Sequence, residues 1–228
     1  MIQGAFRIAG KDLKLVFAGG VGVAQPVLLG LLLIFVFSLS RPPGEIVPAQ
    51  AAAGIFWLAS MFGQVLIFNT LYNMEEMNGA RMALLMAPVP VHAIWLGKAL
   101  AGLFLLLLAQ IVFVPAAMVF LGQDLSGIWP TALAALVAVD WGIVVLGSLL
   151  GALSQGQAAR ESLLSIILFP LLIPILLSGI KVGGVFFGSA ADQGTEGLGT
   201  WLGLATAFDA LFTGAALVLF PFVYSGEE

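Results

Sequence analysis

Long apolar runs dominate the chain, and short polar segments separate them. Six runs continue long enough to cross a membrane, at 15–40, 51–72, 97–121, 130–153, 162–180 and 201–224. A helix rises about 1.5 Å per residue and the hydrocarbon core of a bilayer is about 30 Å thick, so one crossing needs about 20 apolar residues. Strands of a membrane barrel would show alternating segments of about ten residues instead. The pattern predicts an all-α, polytopic membrane protein with six transmembrane helices.

The basic residues predict how these spans are oriented. Arg41 and Lys181 fall on one side of a six-span arrangement, and the other basic residues fall on the opposite side: Arg7, Lys11, Lys14, Arg81, Lys98 and Arg160. Because cytoplasmic loops carry an excess of Lys and Arg, the N- and C-termini are both expected in the cytoplasm. The loops are too short to fold alone, so residues 1–228 form one membrane domain.

The N-terminal segment 1–14 mixes basic and apolar residues, which is typical of a short helix lying along the cytoplasmic membrane surface. A flexible basic tail is the alternative. The first apolar run follows this segment and ends in "SLSRPP" without a clear cleavage site, so it is expected to remain as a membrane span.

The most polar stretch of the interior lies between the second and third runs, in "NMEEMNGARMALLMAPVP". Asn73 is followed three residues later by Glu76, the spacing of a capping box, and acids near a helix start favour the helix dipole. Pro88 disfavours helical backbone at the residue before it. We therefore predict a short cytoplasmic helix over 74–87 with Glu75, Glu76, Gly79 and Arg81 near its start.

Two interpretations of this predicted helix remain open. Any cytoplasmic loop must be polar, and short amphipathic helices in such loops are common. The functional alternative is a docking helix that a soluble partner grips.

Two isolated acids lie inside predicted spans, Asp140 in the fourth and Asp209 in the sixth. Because an ionised carboxylate at the bilayer centre costs about 2.5–3.5 kcal/mol or more, such residues usually face a cavity or a partner. Each could serve a transport path, or could make a structural hydrogen bond to Gln64, Asn69 or Gln110.

The fifth run contains Pro170 and Pro174. Each proline removes a backbone donor and disturbs the helix one turn earlier, so this span is expected to bend. The bend could be static or could belong to a flexing element beside a transport path.

Composition excludes several kinds of chemistry. The chain has no cysteine and one histidine, so it offers neither thiolate metal sites nor the usual pair of axial haem ligands, and no metal site is expected. No G-x-x-x-x-G-K-[ST] occurs, so the chain cannot cradle ATP phosphates by itself. The net charge of −4 argues against nucleic acid. "EEMNGAR" misses the EExxxR spacing of one membrane protease family by one residue, and no other protease motif accompanies it.

Several stretches together resemble one family. They are "KDLKL", "EEMNGARMALLMAPVPVHAIWLGKALAGLFLLLLAQ", "LGSLLGALSQGQAARESLLSIILFPLLIPILL" and "ATAFDALF". In this order they are similar to the heme exporter protein B (CcmB) family, the permease of the cytochrome c maturation ABC transporter. The resemblance covers nearly the whole chain.

The resemblance implies an ABC permease of type-2 exporter-like architecture in the bacterial inner membrane. It implies a separate CcmA-like ATPase, so the chain itself would be non-catalytic. It also implies a CcmC-like haem-handling protein, a small CcmD-like helix protein and a CcmE-like haem chaperone as partners. Haem would be the substrate or would sit on those partners, and this chain would bind no cofactor.

By position, the family resemblance makes the 74–87 segment, with Glu75, Gly79 and the helix that follows them, the part that couples the permease to the ATPase. It also implies a second cytoplasmic contact at 159–161, which includes Arg160 and Glu161. A permease of the same architecture for a lipid or a drug, and a non-transporting membrane scaffold, are the two alternatives.

Overall fold

The computed structural model describes residues 1–40, 42, 44–77, 79–125, 129–154, 158–187 and 197–225. Throughout these ranges the backbone forms helices and the turns between them, without a strand. In chain order the helices are α1 (Ile2–Gly19), α2 (Val21–Leu39), α3 (Ala49–Met77), α4 (Ala80–Met86), α5 (Val91–Leu121), α6 (Trp129–Ser154), α7 (Ala158–Phe186) and α8 (Leu198–Ser225).

Five of these helices are long and apolar enough to cross a membrane. The apolar stretches are Gly22–Leu39, Ala49–Glu76, Val91–Leu121, Ala132–Leu153 and Leu198–Tyr224. The described part of α7 adds a shorter apolar stretch, Pro170–Phe186. These helices confirm the prediction of an all-α, polytopic membrane protein.

The N-terminal helix differs from its predicted bounds. We expected a surface helix over 1–14 and a span beginning at residue 15, but α1 continues to Gly19. The chain then turns at Gly20, whose φ of 68° is a left-handed value that suits glycine. Val16 is 1 % exposed, so its burial favours helical packing beyond the predicted end. The first span therefore starts after Gly20.

The predicted helix over 74–87 is wrong at its start and right at its end. Asn73 does not cap a helix, because α3 runs through it without a break to Met77. The flanking side chains of Tyr72 and Glu75 are 1 % and 2 % exposed, and this packing keeps the backbone helical past Asn73. The break comes instead at Gly79, where φ is 64°, and α4 begins after it.

The end of α4 agrees with the expectation from Pro88. Ala87 has φ −73° and ψ 148°, an extended conformation, so α4 stops at Met86. The result is a short helix of seven residues set off from α3 by a glycine turn.

Helix α3 is the centre of the bundle and packs against α2, α5, α6 and α7. Phe68 on α3 lies between two glycines of neighbouring helices, Gly102 on α5 and Gly147 on α6. A Cβ at either glycine would come within 2.6 Å of the Phe68 ring. Small residues at helix contacts let backbones approach closely, as is common between membrane helices.

Pro170 and Pro174 both lie inside α7, and the helix continues past them without a break. Prolines also lie inside α2, α5 and α8. Membrane helices tolerate proline when neighbouring groups satisfy the freed backbone atoms. Later in the same helix Ser178 Oγ donates to the carbonyl oxygen of Pro174 at 3.0 Å. The bend expected in this span stays a prediction.

The fit of Phe68 against Gly147 predicts a stability difference between two matched glycine variants. Gly147→Ala places a methyl group against the Phe68 ring, and such overpacking costs about 1–3 kcal/mol. Gly214→Ala on α8 meets nothing within 4 Å and gains about 1 kcal/mol of helix propensity. In detergent, Gly147→Ala should lower the thermal midpoint while Gly214→Ala leaves it unchanged or higher. Equal midpoints for the two variants would contradict this packing.

Candidate functional site

Four charged side chains gather where α1, α3 and α5 meet, and three of them are buried. Its members are Lys11 and Asp12 on α1, Glu75 in the last turn of α3 and Lys98 near the start of α5; we call them the ion cluster. Lys98 is fully buried, and Asp12 and Glu75 are 3 % and 2 % exposed. Two lysines balance two carboxylates, so the cluster carries no formal net charge.

Lys98 uses all three of its ammonium protons. Nζ lies 2.9 Å from Glu75 Oε1 and 3.4 Å from Asp12 Oδ2. It also donates to the carbonyl oxygen of Leu71 at 3.2 Å. The ammonium stands 4.6 Å from the centre of the Tyr72 ring, a cation–π distance. A lysine without water needs this full set of partners, because a buried charge without them is strongly destabilising.

Lys11 closes the cluster on its outer side. Nζ lies 2.9 Å from Asp12 Oδ1 and 3.0 Å from Glu75 Oε1. Partial burial works to lower the pKa of Lys11, but the adjacent carboxylates of Asp12 and Glu75 outweigh it and raise that pKa above its usual value. Lys11 therefore stays charged at physiological pH.

Tyr224 connects the ion cluster to the last turn of α8. Its hydroxyl donates to Glu75 Oε2 at 3.1 Å, and its ring stacks on Phe220 with centroids 5.2 Å apart. Its backbone carbonyl accepts a hydrogen bond from Arg81 Nη2 at 2.7 Å. The Arg81 guanidinium also lies 5.4 Å from the Tyr224 ring centre. One residue thus joins α4 and α3 to the end of α8.

The predicted docking residues occupy different environments. Glu76 and Gly79 are exposed, whereas Glu75 is buried in the ion cluster and Arg81 is partly buried against α8. Arg160 and Glu161 lie in the first turns of α7, and their side chains fall outside the described part of the structure. Of the predicted docking residues whose side chains the structure describes, Glu76 and Gly79 are therefore open to a partner, whereas Glu75 and Arg81 make contacts within the chain.

The two intramembrane acids have separate surroundings. Asp140 on α6 is fully buried, and its Oδ1 accepts from Gln110 Nε2 at 2.7 Å. This confirms Gln110 among the partners expected for it. Asp209 on α8 packs against Gly142 of α6, and its Oδ1 has no hydrogen-bond partner among the described residues.

His92, the single histidine, lies apart from the ion cluster. Its Nε2 is 3.1 Å from the carbonyl oxygen of Leu217, so it links the start of α5 to α8. Nowhere in the described ranges do three or more His, Asp or Glu side chains gather in a way that could hold a metal ion.

Comparison with known proteins decides the family. The family model described as "CcmB protein" matches residues 3–225. The chain belongs to the CcmB family.

Two proteins named "Heme exporter protein B" show how far this similarity extends. The one from Rhodobacter capsulatus is 27 % identical over 223 residues, which cover 93 % of this chain and 92 % of that protein. The one from Escherichia coli (strain K12) is 30 % identical over 109 residues, 46 % of this chain and 50 % of that protein. The chain thus matches about half the length of the Escherichia coli relative and nearly all of the Rhodobacter capsulatus relative.

Sequence reasoning missed most of the ion cluster in this CcmB family chain. In the sequence Lys98 contributes only to the predicted topology and to the family resemblance, and the pattern predicts no role for Asp12. A signal was present for Lys98, because it is the single charged residue of a 31-residue apolar helix. A lone charge in such a helix calls for a buried partner of opposite sign. Which acid fills that role follows only from the fold.

The ion cluster predicts a large difference between two lysine-to-methionine variants. Lys98→Met keeps the stem but leaves the Glu75 and Asp12 carboxylates short of a cation, and breaking a buried pair in this way costs about 3–5 kcal/mol. Lys14→Met, on an exposed position of α1, should change stability little. Thermal midpoints in detergent measure both effects.

A double variant separates the Glu75–Lys98 interaction from other damage. If the two side chains interact, Glu75→Gln combined with Lys98→Met should lower the midpoint by less than the sum of the single changes. Strictly additive losses would contradict the pairing.

Proposed function

We propose that this chain is the membrane-spanning permease subunit of a haem export system that serves c-type cytochrome maturation in the bacterial inner membrane. The observation that carries the proposal is the CcmB family match over residues 3–225, which takes in every described helix except the first residue of α1. The relatives named "Heme exporter protein B" support haem as the exported molecule or as a group carried by partner proteins.

In this proposal ATP is bound and hydrolysed on another chain. The sequence contains no phosphate-binding G-x-x-x-x-G-K-[ST] loop, so the energy source is a separate CcmA-like ATPase. One histidine and no cysteine leave haem ligation to partners. These partners are a CcmC-like haem protein, a small CcmD-like helix protein and a CcmE-like haem chaperone.

We infer that the ATPase docks on the exposed side of the cytoplasmic helix α4. Met82 and Met86 are 62 % and 80 % exposed, and their spacing of four residues puts them on one side of the helix. Two exposed methionines form an adaptable apolar surface of the kind that a partner groove covers. Glu76 and Gly79 flank this surface, and Arg160 and Glu161 supply the second contact.

A movement of α4 would reach the membrane helices through two contacts. The first is the Arg81 hydrogen bond to the end of α8, and the second is the short connection through Gly79 to Glu75 in the ion cluster. Glu75 therefore transmits the movement in this proposal and does not touch the ATPase. Pro170 and Pro174 in α7 would supply the flexing element, and Asp140 and Asp209 remain candidates for the transport path.

Deleting the gene in its native host tests the function. We expect c-type cytochromes to disappear from haem-stained gels while b-type cytochromes remain, because haem synthesis itself does not depend on the chain. A plasmid copy should restore the c-type proteins. Unchanged c-type cytochromes in the deletion strain would overturn the proposed function.

Replacing the exposed methionines tests the docking surface. Met82→Glu with Met86→Glu introduces charge into the apolar contact, so copurification of the ATPase should fall at least about tenfold, as for the loss of a central contact. Ile46→Glu, at a side chain 72 % exposed in the loop before α3, serves as the matched control and should retain the ATPase. Full retention by the double α4 variant, with both proteins folded, would place the ATPase elsewhere.

A further inference from the structure

The N-terminal helix α1 packs on the bundle with one of its sides. Ala5 and Ile8 on this side lie against Gly97 of α5, and Asp12 joins the ion cluster. The other sides of α1 carry exposed residues, which divide into an apolar stripe and a basic stripe. Both stripes are therefore open to something outside the chain.

The apolar stripe consists of Ile2, Phe6 and Phe17, whose side chains are 65 %, 63 % and 50 % exposed. Phe6 follows Ile2 by four residues and precedes Phe17 by eleven, which is about three turns of 3.6 residues. All three side chains therefore lie on one side of α1. A row of large apolar side chains is unfavourable in water, and it becomes favourable when the side chains lie among lipid chains.

The basic stripe consists of Arg7 and Lys14, which are both exposed. They are seven residues apart, about two turns, so they too share one side of α1. Lys11 is used within the chain, by Asp12 and Glu75, but neither Arg7 nor Lys14 forms an ion pair with another described residue. Asp12 is the single acid of α1 and is buried. The exposed part of α1 therefore carries positive charge alone.

The contacts of α1 place it at the level where the membrane spans begin. Gly4 lies next to Ala93 in the first turn of α5. Eight residues further along α1, Asp12 bonds to Lys98, so α1 crosses the first two turns of that span. At its other end the turn at Gly20 joins α1 directly to the first span. The basic residues predict that this end of the bundle is cytoplasmic, so α1 lies where lipid chains meet cytoplasmic water.

We propose that α1 binds an anionic phospholipid of the cytoplasmic leaflet, with the basic stripe on its headgroup and the apolar stripe among its acyl chains. Such a lipid carries its negative charge directly beside its apolar chains, and the two stripes of α1 lie side by side in the same way. Arg and Lys donate charge-assisted hydrogen bonds to phosphate oxygens. A soluble acidic protein would match Arg7 and Lys14 alone and would take Phe6 and Phe17 away from lipid. The lipid site is separate from the α4 surface and does not depend on which molecule the permease exports.

Photoreactive lipids test the proposal on the full chain in nanodiscs made of equal amounts of phosphatidylglycerol and phosphatidylcholine. A trace of either lipid carries a diazirine near its glycerol, and mass spectrometry measures the label on each helix. Label on α2, a span with much lipid-exposed surface, gives the baseline for lipid that merely surrounds the protein. Relative to that baseline, phosphatidylglycerol should label α1 at least about fivefold more than phosphatidylcholine, the effect of one basic residue near an anionic surface.

Three matched variants test the residues that hold the headgroup. Arg7→Gln combined with Lys14→Gln should abolish the preference for phosphatidylglycerol, because no cation remains in the basic stripe. Arg7→Lys combined with Lys14→Arg keeps both charges and should keep the preference. Lys181→Gln removes an exposed lysine on α7 instead and should leave the label on α1 unchanged. Thermal midpoints in detergent show that all three are folded before labelling is compared.

Spin labels test the apolar stripe, and the absence of cysteine from the chain makes each introduced cysteine unique. Labels at Phe6→Cys and Phe17→Cys should be more accessible to oxygen, which dissolves in lipid, than to a water-soluble nickel complex. A label at Gln3→Cys, four residues before Arg7 on the polar side, should show the reverse.

Three results would overturn the proposal. Equal labelling of α1 by the two lipids would exclude selection of an anionic headgroup. Access of the nickel complex to positions 6 and 17 would place the apolar stripe in water. Loss of the lipid label from α1 when the ATPase is bound would assign the basic stripe to a protein partner.

Discussion

The buried contact between Lys98 and Glu75 is the interaction on which the arrangement of the helix ends depends. Neither charge can be left alone in a site without water, since an unpaired buried charge costs several kcal/mol. Lys98 therefore holds α5 against the end of α3, and Asp12 brings α1 to the same place. Glu75 in turn receives the hydroxyl of Tyr224 from α8. Four helices converge because two carboxylates and two lysines satisfy one another.

The same contact links the bundle to the short helix α4. Glu75 lies in the last turn of α3, just before the turn at Gly79, and Arg81 on α4 reaches the backbone of Tyr224. A short helix has little stability of its own, so these connections hold it in place. These contacts connect the exposed methionines of α4 to the ends of α3 and α8. In the proposed docking of the ATPase, the exposed residues of the 74–87 segment would meet the partner and the buried Glu75 would not.

The opposite half of the bundle follows a different physical rule. There the buried side chains are mostly apolar, and the few polar ones include the network in which Gln110 Nε2 donates to Asp140 Oδ1 and to Ser60 Oγ. Among the described residues, Gln110 Oε1 and Asp140 Oδ2 have no hydrogen-bond partner. The ion cluster thus holds the helix ends together near one end, whereas apolar packing and a few hydrogen bonds hold the middle of the bundle.

The sequence by itself determined that most of the chain lies in lipid and that it crosses the membrane as helices. Apolar runs of about 20 residues predict membrane helices whatever their packing, because backbone groups in lipid must be satisfied within the helix. Pro88 likewise fixed the end of α4, since its ring restricts the preceding residue locally. Only the tertiary structure decided that Asn73 stays helical and that Glu75 is buried. Those outcomes depend on Lys98, Asp12 and Tyr224, which lie far away in the chain and oppose a local capping preference of about 1 kcal/mol with a full set of buried charge contacts.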